Sequence, residues 1–142
     1  MSNIGVSTLY GPFLKFEGSD LLLAGVPAGL YTFQVSGSVT AGNAVCLQTD
    51  GSIGLPTGVA ASDIFVGVAL KSAAQGDKIA VIVFGAMKNL VAAGTINFGS
   101  FLIPASNGGF TGSAGNNVAA NRGVAWSAAS SGSTFIGFVH GF

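Results

Sequence analysis

The chain has 142 residues, of which five are Lys or Arg and five are Asp or Glu, so its formal net charge is zero. Charged residues make up 7% of the sequence, against roughly 25% in an ordinary soluble domain. This composition excludes a nucleic-acid-binding protein that works by charge, because few cations are present to neutralise phosphates. It also excludes a disordered chain, since 49% of the residues are apolar.

Residues 1–30 are predicted to form an N-terminal arm ahead of a single β domain at residues 31–142. The arm holds many large apolar side chains in a stretch that glycine and proline interrupt. Two interpretations are open: an ordinary N-terminal strand that packs on the domain, and an extended arm that lies on a neighbouring subunit and adds a strand to its sheet edge. The candidate interface residues are Tyr10, Phe13, Leu14 and Phe16.

From residue 31 onwards the sequence predicts short strands separated by turns. Residues 31–36 alternate large apolar with polar side chains, which is the period of a strand. Residues 64–70 and 78–84 are continuous apolar runs, typical of strands buried on both faces. The fold class is therefore all-β, a small β-barrel or β-sandwich, and no membrane span is expected. The other predicted strands are a run ending at Leu47 and residues 101–103, 123–126 and 134–139, with turns at 50–51, 56–58, 75–77, 107–109 and 130–132.

An internal repeat is predicted to build the β domain from two loose copies, residues 39–85 and 91–141. Two copies fit one pseudo-symmetric barrel, because a solenoid needs about three repeats for stability. Extra residues of the second copy are placed in the Gly-, Asn- and Ser-rich segment 107–121. The matches are 67–77 with 123–133, at an offset of 56 residues, and 39–42 (V-T-A-G) with 91–94 (V-A-A-G), at an offset of 52.

No catalytic, metal or cofactor site is predicted, and the protein is not expected to be an enzyme. A Ser-His-acid triad needs an acid and a nucleophile around its histidine, and the sequence around His140 gives no sign of one. One cysteine and one histidine are too few ligands for a zinc site. Cys46 lies in an apolar run and is predicted to be a small buried hydrophobe.

Trp126 and Tyr31 are the residues that could form a sugar-stacking platform. Trp126 falls in a predicted strand, at the position that Leu70 takes in the other copy, so packing in the core is favoured. A carbohydrate-binding β-module that uses Trp126, Tyr31 or Tyr10 stays open as an alternative function.

The scarcity of charge favours a protein whose surface is covered by partner chains. A free monomer with zero net charge and few ionic residues is prone to associate, and large exposed apolar areas mark interaction sites. We therefore expect a large part of the surface to be occupied by other protein chains in the working state.

Residues 39–51 (V-T-A-G-N-A-V-C-L-Q-T-D-G) and 65–85 (F-V-G-V-A-L-K-S-A-A-Q-G-D-K-I-A-V-I-V-F-G) resemble the small Gly-, Ala- and Val-rich head decoration, or capsid cement, proteins of tailed bacteriophages. The resemblance extends loosely over residues 91–141. It implies a β-rich module that binds the outside of an assembled head, often as a trimer, and clamps adjacent coat subunits.

On this resemblance the expected partners are the major capsid protein and further copies of the chain, in a homotrimer, with no nucleic acid and no membrane. The expected location is the outer capsid surface of the virion, after synthesis in the host cytoplasm. Another structural virion component, such as a spike, fibre-base or tail module, is the alternative within the same class.

Overall fold

The computed structural model describes residues 28–58, 63–113 and 122–141, which form β-strands and connecting turns without any helix. The prediction of an all-β fold is confirmed. None of these residues forms a helix that could cross a bilayer. The arm residues Tyr10, Phe13, Leu14 and Phe16 lie outside the described residues. The strands are β1 (Ala28–Gln34), β2 (Ala44–Leu47), β3 (Ile53–Gly54), β4 (Phe65–Ala69), β5 (Lys78–Val91), β6 (Phe101–Pro104), β7 (Phe110–Ser113), β8 (Gly123–Ala125) and β9 (Thr134–His140).

All nine strands belong to one antiparallel sheet, in the order β3-β2-β4-β5-β9-β8-β6-β7, with β1 paired to β5. Strand β5 is long enough to serve both halves, because its start pairs with β1 and β4 and its end pairs with β9. We call residues 28–84 the first half and residues 86–141 the second half. Each half curls until its ends meet at one parallel bridge, Val35 with Ile53 in the first and Ala92 with Phe110 in the second.

The two halves repeat the same pairings. Val39 bridges Ala73, and Ile96 bridges Ala129, so the early residues correspond at an offset of 57. Val68 lies opposite Ile82, as Val124 lies opposite Phe138, so the later residues correspond at an offset of 56.

The match of residues 39–42 with 91–94 at an offset of 52 is wrong. The structural counterpart of Val39-Thr40-Ala41-Gly42 is Ile96-Asn97-Phe98-Gly99. In both stretches the glycine has a positive φ, 91° at Gly42 and 80° at Gly99, and donates its N–H to the carbonyl of the equivalent alanine, Ala69 or Ala125. The similar sequence V-A-A-G at 91–94 does not form the same turn, because Gly94 is not among the glycines with a positive φ.

The apolar residues form two clusters that do not divide evenly between the halves. The smaller cluster fills the inside of the first half and includes Val45, Ile53 and Val81. The larger cluster fills the inside of the second half with residues such as Leu102 and Phe135, and it continues over the outside of the first half. The second half therefore covers the outer sheet face of the first half.

Candidate functional site

The outer sheet face of the second half is apolar and uncovered in the described part of the chain. Val124 lies opposite both Phe101 and Phe138 in the sheet. Since side chains two residues apart on a strand share a face, three further residues join them. Trp126 is 46% exposed and Ile136 is 38% exposed. We call this set the second-half face: Phe101, Ile103, Val124, Trp126, Ile136 and Phe138.

Trp126 is a surface residue here, so the prediction that it packs in the core is wrong. Its ring stacks on Phe138 with centroids 6.1 Å apart and planes at 27°. Its backbone N–H donates to the carbonyl of Ile136 at 2.7 Å, which holds its backbone against β9. The counterpart position in the first half, Leu70, packs against the large core cluster. Trp126 has no such cover, because no described layer lies over the second-half face.

The second-half face is bulkier than its counterpart in the first half. There, Ala44, Cys46, Val68 and Ile82 are buried in the large core cluster. A position that is buried in one copy and more exposed in the other normally carries the more polar residue where it is exposed. The chain shows the reverse. The pairs, first half then second half, are Ala44 and Phe101, Cys46 and Ile103, Val68 and Val124, Leu70 and Trp126, Ala80 and Ile136, and Ile82 and Phe138.

Phe98 is a further exposed aromatic residue, in a turn that is bonded to β8. It lies at the tip of a tight turn, in which Ser100 donates its N–H to the carbonyl of Asn97 at 3.0 Å. Its side chain is 77% exposed. The turn is tied to β8, because Gly99 donates to the carbonyl of Ala125, next to Trp126. An exposed aromatic ring on a tight turn is a natural anchor for a protein contact.

Three exposed apolar residues lie in or beside the strands at the other end of the sheet path, in the first half. We call Leu47, Leu55 and Ile64 the first-half cluster. Leu47 donates its N–H to the carbonyl of Ile64 at 2.8 Å, and the side chain of Ile64 is 60% exposed. The adjoining Asp63 accepts hydrogen bonds from the N–H and hydroxyl of Thr57 at 2.9 and 2.8 Å. These bonds fix the backbone of Thr57 relative to the residue that precedes Ile64.

The charges differ between the two halves. Residues 86–142 contain Lys88 and Arg122 and no Asp or Glu. The first-half cluster instead has two acids near it in the chain, Asp50 and Asp63. The side chain and the backbone N–H of Ser52 donate to the carboxylate of Asp50 and hold its pKa below the usual range.

Cys46 is a free, buried thiol, as the sequence predicted. Burial raises its pKa to about 12, the charge of Asp63 adds to the rise, and the charge of Arg122 opposes it. The folded state therefore favours the protonated thiol, and this contribution to stability is present below pH 9 and is lost as the pH rises towards 12.

We expect Cys46 to resist alkylation in the folded protein. Raising its pKa from 9.0 to about 12 lowers the thiolate fraction at pH 8 about a thousandfold. Reaction with iodoacetamide, followed by mass spectrometry, should be at least that much slower in buffer than in 8 M urea. Equal rates in the two conditions would show that the thiol is accessible.

The described residues form neither a metal site nor a sugar-stacking platform of Tyr31 and Trp126. No group of three His, Cys, Asp or Glu side chains that could hold a metal ion occurs among residues 28–58, 63–113 and 122–141. Tyr31 and Trp126 do not share a stacking platform, because the sheet order β1-β5-β9-β8 puts two strands between them, about 14 Å at about 4.8 Å per strand.

Comparisons with known proteins find a phage protein family and a phage protein of similar fold. A family model described as phage cement protein matches residues 28–140. The chain is also similar in structure to the crystal structure of the head fiber gp8.5 N base in bacteriophage phi29, with a TM-score of 0.56 and 18% sequence identity over 80% of this chain and 95% of that one. No curated protein matches the sequence.

Proposed function

This chain belongs to the phage cement protein family, and on that premise we propose that it binds the outer surface of an assembled phage head and clamps neighbouring coat subunits. Membership makes it a structural protein of the phage virion. The observation that carries the finer proposal is the uncovered second-half face, because a chain with 7% charged residues that presents several large apolar side chains needs a protein partner to cover them.

The proposed mechanism is a shift of an assembly equilibrium without any chemical reaction. A protein that binds the assembled lattice better than free coat subunits stabilises the lattice by that difference in affinity. Apolar burial at about 25 cal/mol per Å² supplies the driving force, less the cost of ordering the parts that bind. A surface with few ions suits this task, since few charges have to be desolvated.

We propose that the protein acts as a homotrimer and that the N-terminal arm contributes to the contact. Three linked arms raise the strength of attachment through effective concentration, even where each contact is modest. The residues proposed for the contact with coat protein or a neighbouring copy are Tyr10, Phe13, Leu14 and Phe16, which are large apolar groups outside the repeat.

Removal of residues 1–16 should abolish binding to heads and leave the β domain folded. The test mixes purified protein with undecorated heads, separates heads from free protein by sedimentation and images the pellet for ordered extra density. A full-length variant with Ser at Tyr10, Phe13, Leu14 and Phe16 separates loss of side chains from loss of chain length. Undiminished sedimentation of both variants with heads would refute the assignment of the arm.

A second candidate within the same class is the base of a head fibre. The fold similarity to the head fiber N base of bacteriophage phi29 favours it. Virion images distinguish the two functions. A cement protein should appear as density that lies close to the shell between coat subunits. A fibre base should carry a projection that continues outwards from the same site.

A further inference from the structure

We propose that Asn107–Gly108 is a latent deamidation site, which stays unreactive because the turn that holds it is packed against the first half. Asn107 is the only asparagine in the chain that a glycine follows. Asparagine is among the thermolabile residues, and glycine has no side chain to hinder an attack of its backbone nitrogen on the preceding side-chain amide. The site is independent of the proposed binding to heads.

The reaction joins two atoms of neighbouring residues. The backbone nitrogen of Gly108 gives up its proton and forms a bond to Cγ of Asn107. The bond from Cγ to the side-chain nitrogen breaks, and this nitrogen takes up a proton and leaves as ammonia. Water then opens the cyclic imide at one of its two ring C–N bonds. One opening gives aspartate, and the other gives isoaspartate, in which the main chain runs through the former side chain and is one atom longer.

Two hydrogen bonds of the turn hold the reacting groups away from this geometry. Gly108 donates its N–H to the carbonyl of Ala105 at 2.9 Å, so the proton that has to leave is engaged by another acceptor. Oδ1 of Asn107 accepts from the N–H of Gly109 at 2.9 Å, which holds the side-chain amide over the turn. The attack requires the first bond to break and the side chain to turn away from the second.

The turn is also covered by the first half. Ala44, at the start of β2, donates its N–H to the carbonyl of Gly108 at 2.7 Å. A Cβ atom at Gly108 would lie 2.6 Å from Cγ of Asn43, so the turn has no space to move on that side. Gly108 is buried, although Asn107 itself is exposed. Local opening of the contact between the halves is therefore needed before the ring can form.

The first half contains the same turn without this cover. Ser52 donates its N–H to Oδ1 of Asp50, and Gly51 donates to the carbonyl of Gln48 at 3.0 Å, the same bonds that occur around Asn107. Gly51 is exposed, however, and a Cβ atom there would meet nothing within 4 Å. The two turns therefore separate the effect of the turn's own hydrogen bonds from the effect of the contact between the halves.

The test compares the full-length protein in buffer at pH 8 with the same protein in 8 M urea. Peptide mapping by mass spectrometry follows the conversion of Asn107, and an isoaspartyl methyltransferase assay detects isoaspartate. Conversion should be at least about tenfold slower in buffer, because the hydrogen bonds of the folded turn have to be lost first. Asn107→Asp should remove the signal and keep the thermal melt, since Asp50 already occupies the equivalent place in the first half.

Asp50→Asn places a second Asn-Gly sequence in the uncovered turn and is the matched variant. The side chain at position 50 is exposed, and an amide oxygen can accept the same bonds from Ser52, so the thermal melt should be kept. In buffer, the amide introduced at position 50 should convert about threefold faster or more than Asn107 of the same molecule, because it lacks the cover of the first half. In urea the two sites should convert at similar rates.

Equal conversion of Asn107 in buffer and in urea would overturn the proposal, since the fold would then give no protection. Equal conversion of both sites in folded Asp50→Asn would overturn the role of the contact between the halves. If Asp50→Asn melts early, Asn43→Ala provides the same comparison, because it removes the side chain that lies over Gly108. It should accelerate the conversion of Asn107 at a temperature where circular dichroism shows folded protein, and an unchanged rate would overturn the role of the contact.

Discussion

Replacing Phe110 with alanine should lower the free energy of unfolding by about 3–5 kcal/mol, the usual cost of emptying a phenylalanine site in a core. Phe110 is fully buried. Its ring meets Phe65 of the first half and Phe135 of the second half edge-on, at 6.1 and 6.4 Å. The substitution therefore removes the side chain that joins the two halves and leaves a cavity between rigid sheet walls. Urea unfolding followed by circular dichroism measures the loss.

The matched control is Phe98→Ala, the same chemical change at a turn tip that is 77% exposed. It should alter the free energy of unfolding by no more than about 0.5 kcal/mol, as surface substitutions usually do. An equal loss of stability in the two variants would contradict the prediction, because it would show that burial of Phe110 does not account for its contribution. A Phe110→Ala chain that unfolded in two steps would show that this ring couples the halves.

Much of the fold follows from sequence patterns of short range. The alternation at residues 31–36 and the apolar runs at 64–70 and 78–84 correspond to β1, β4 and the start of β5. The predicted strands that end at Leu47 or cover 101–103, 123–126 and 134–139 also correspond to strands. Period two and turn glycines are local properties, and a sheet whose strands are joined by short turns preserves them.

The elements that sequence patterns miss depend on long-range contacts. The apolar run predicts that β5 ends at residue 84, before Gly85, yet the strand continues to Val91. Gly85 is held inside the strand by pairing with Ala28 on one side and Val139 on the other. Strand β3 has two residues and β7 contains glycine; neither has enough periodicity to show in a sequence.

The second-half face could not be derived from alternation alone. Alternation places Val124 and Trp126 on one face of a strand, but only the covering layer decides whether that face is core or surface. The repeat holds a usable signal, since Trp126 replaces Leu70 and Phe138 replaces Ile82 at an offset of 56. The incorrect offset of 52 hides the matching change from Ala41 to Phe98. The arm residues stay a prediction, because they lie outside the described part of the chain.

Replacing Gly67 with alanine should destabilise the protein by about 3 kcal/mol or more, beyond the usual range of a modest overpacking change. A Cβ atom at Gly67 would overlap the carbonyl oxygen of Ile82 and lie 2.8 Å from its carbon. These atoms belong to the backbone of β5, so no side-chain rotation can relieve the clash. The neighbouring strands β4 and β5 would have to separate where Val68 pairs with Ile82.

The repeat supplies an independent second site for this prediction and a control. Gly123 is the counterpart of Gly67, and a Cβ there would overlap the carbonyl oxygen of Phe138, the counterpart of Ile82. Gly123→Ala should therefore cost a similar amount. A methyl group at Gly37 would meet nothing within 4 Å, so Gly37→Ala should be neutral or slightly stabilising, because alanine restricts the unfolded chain. Thermal unfolding of the three variants is the measurement. A lower melting temperature for Gly67→Ala and Gly123→Ala, but not for Gly37→Ala, would show that both halves depend on the same close strand contact. An unchanged melting temperature for Gly123→Ala would contradict this, and would mean that the second half, with its uncovered face, can separate its strands where the first half cannot.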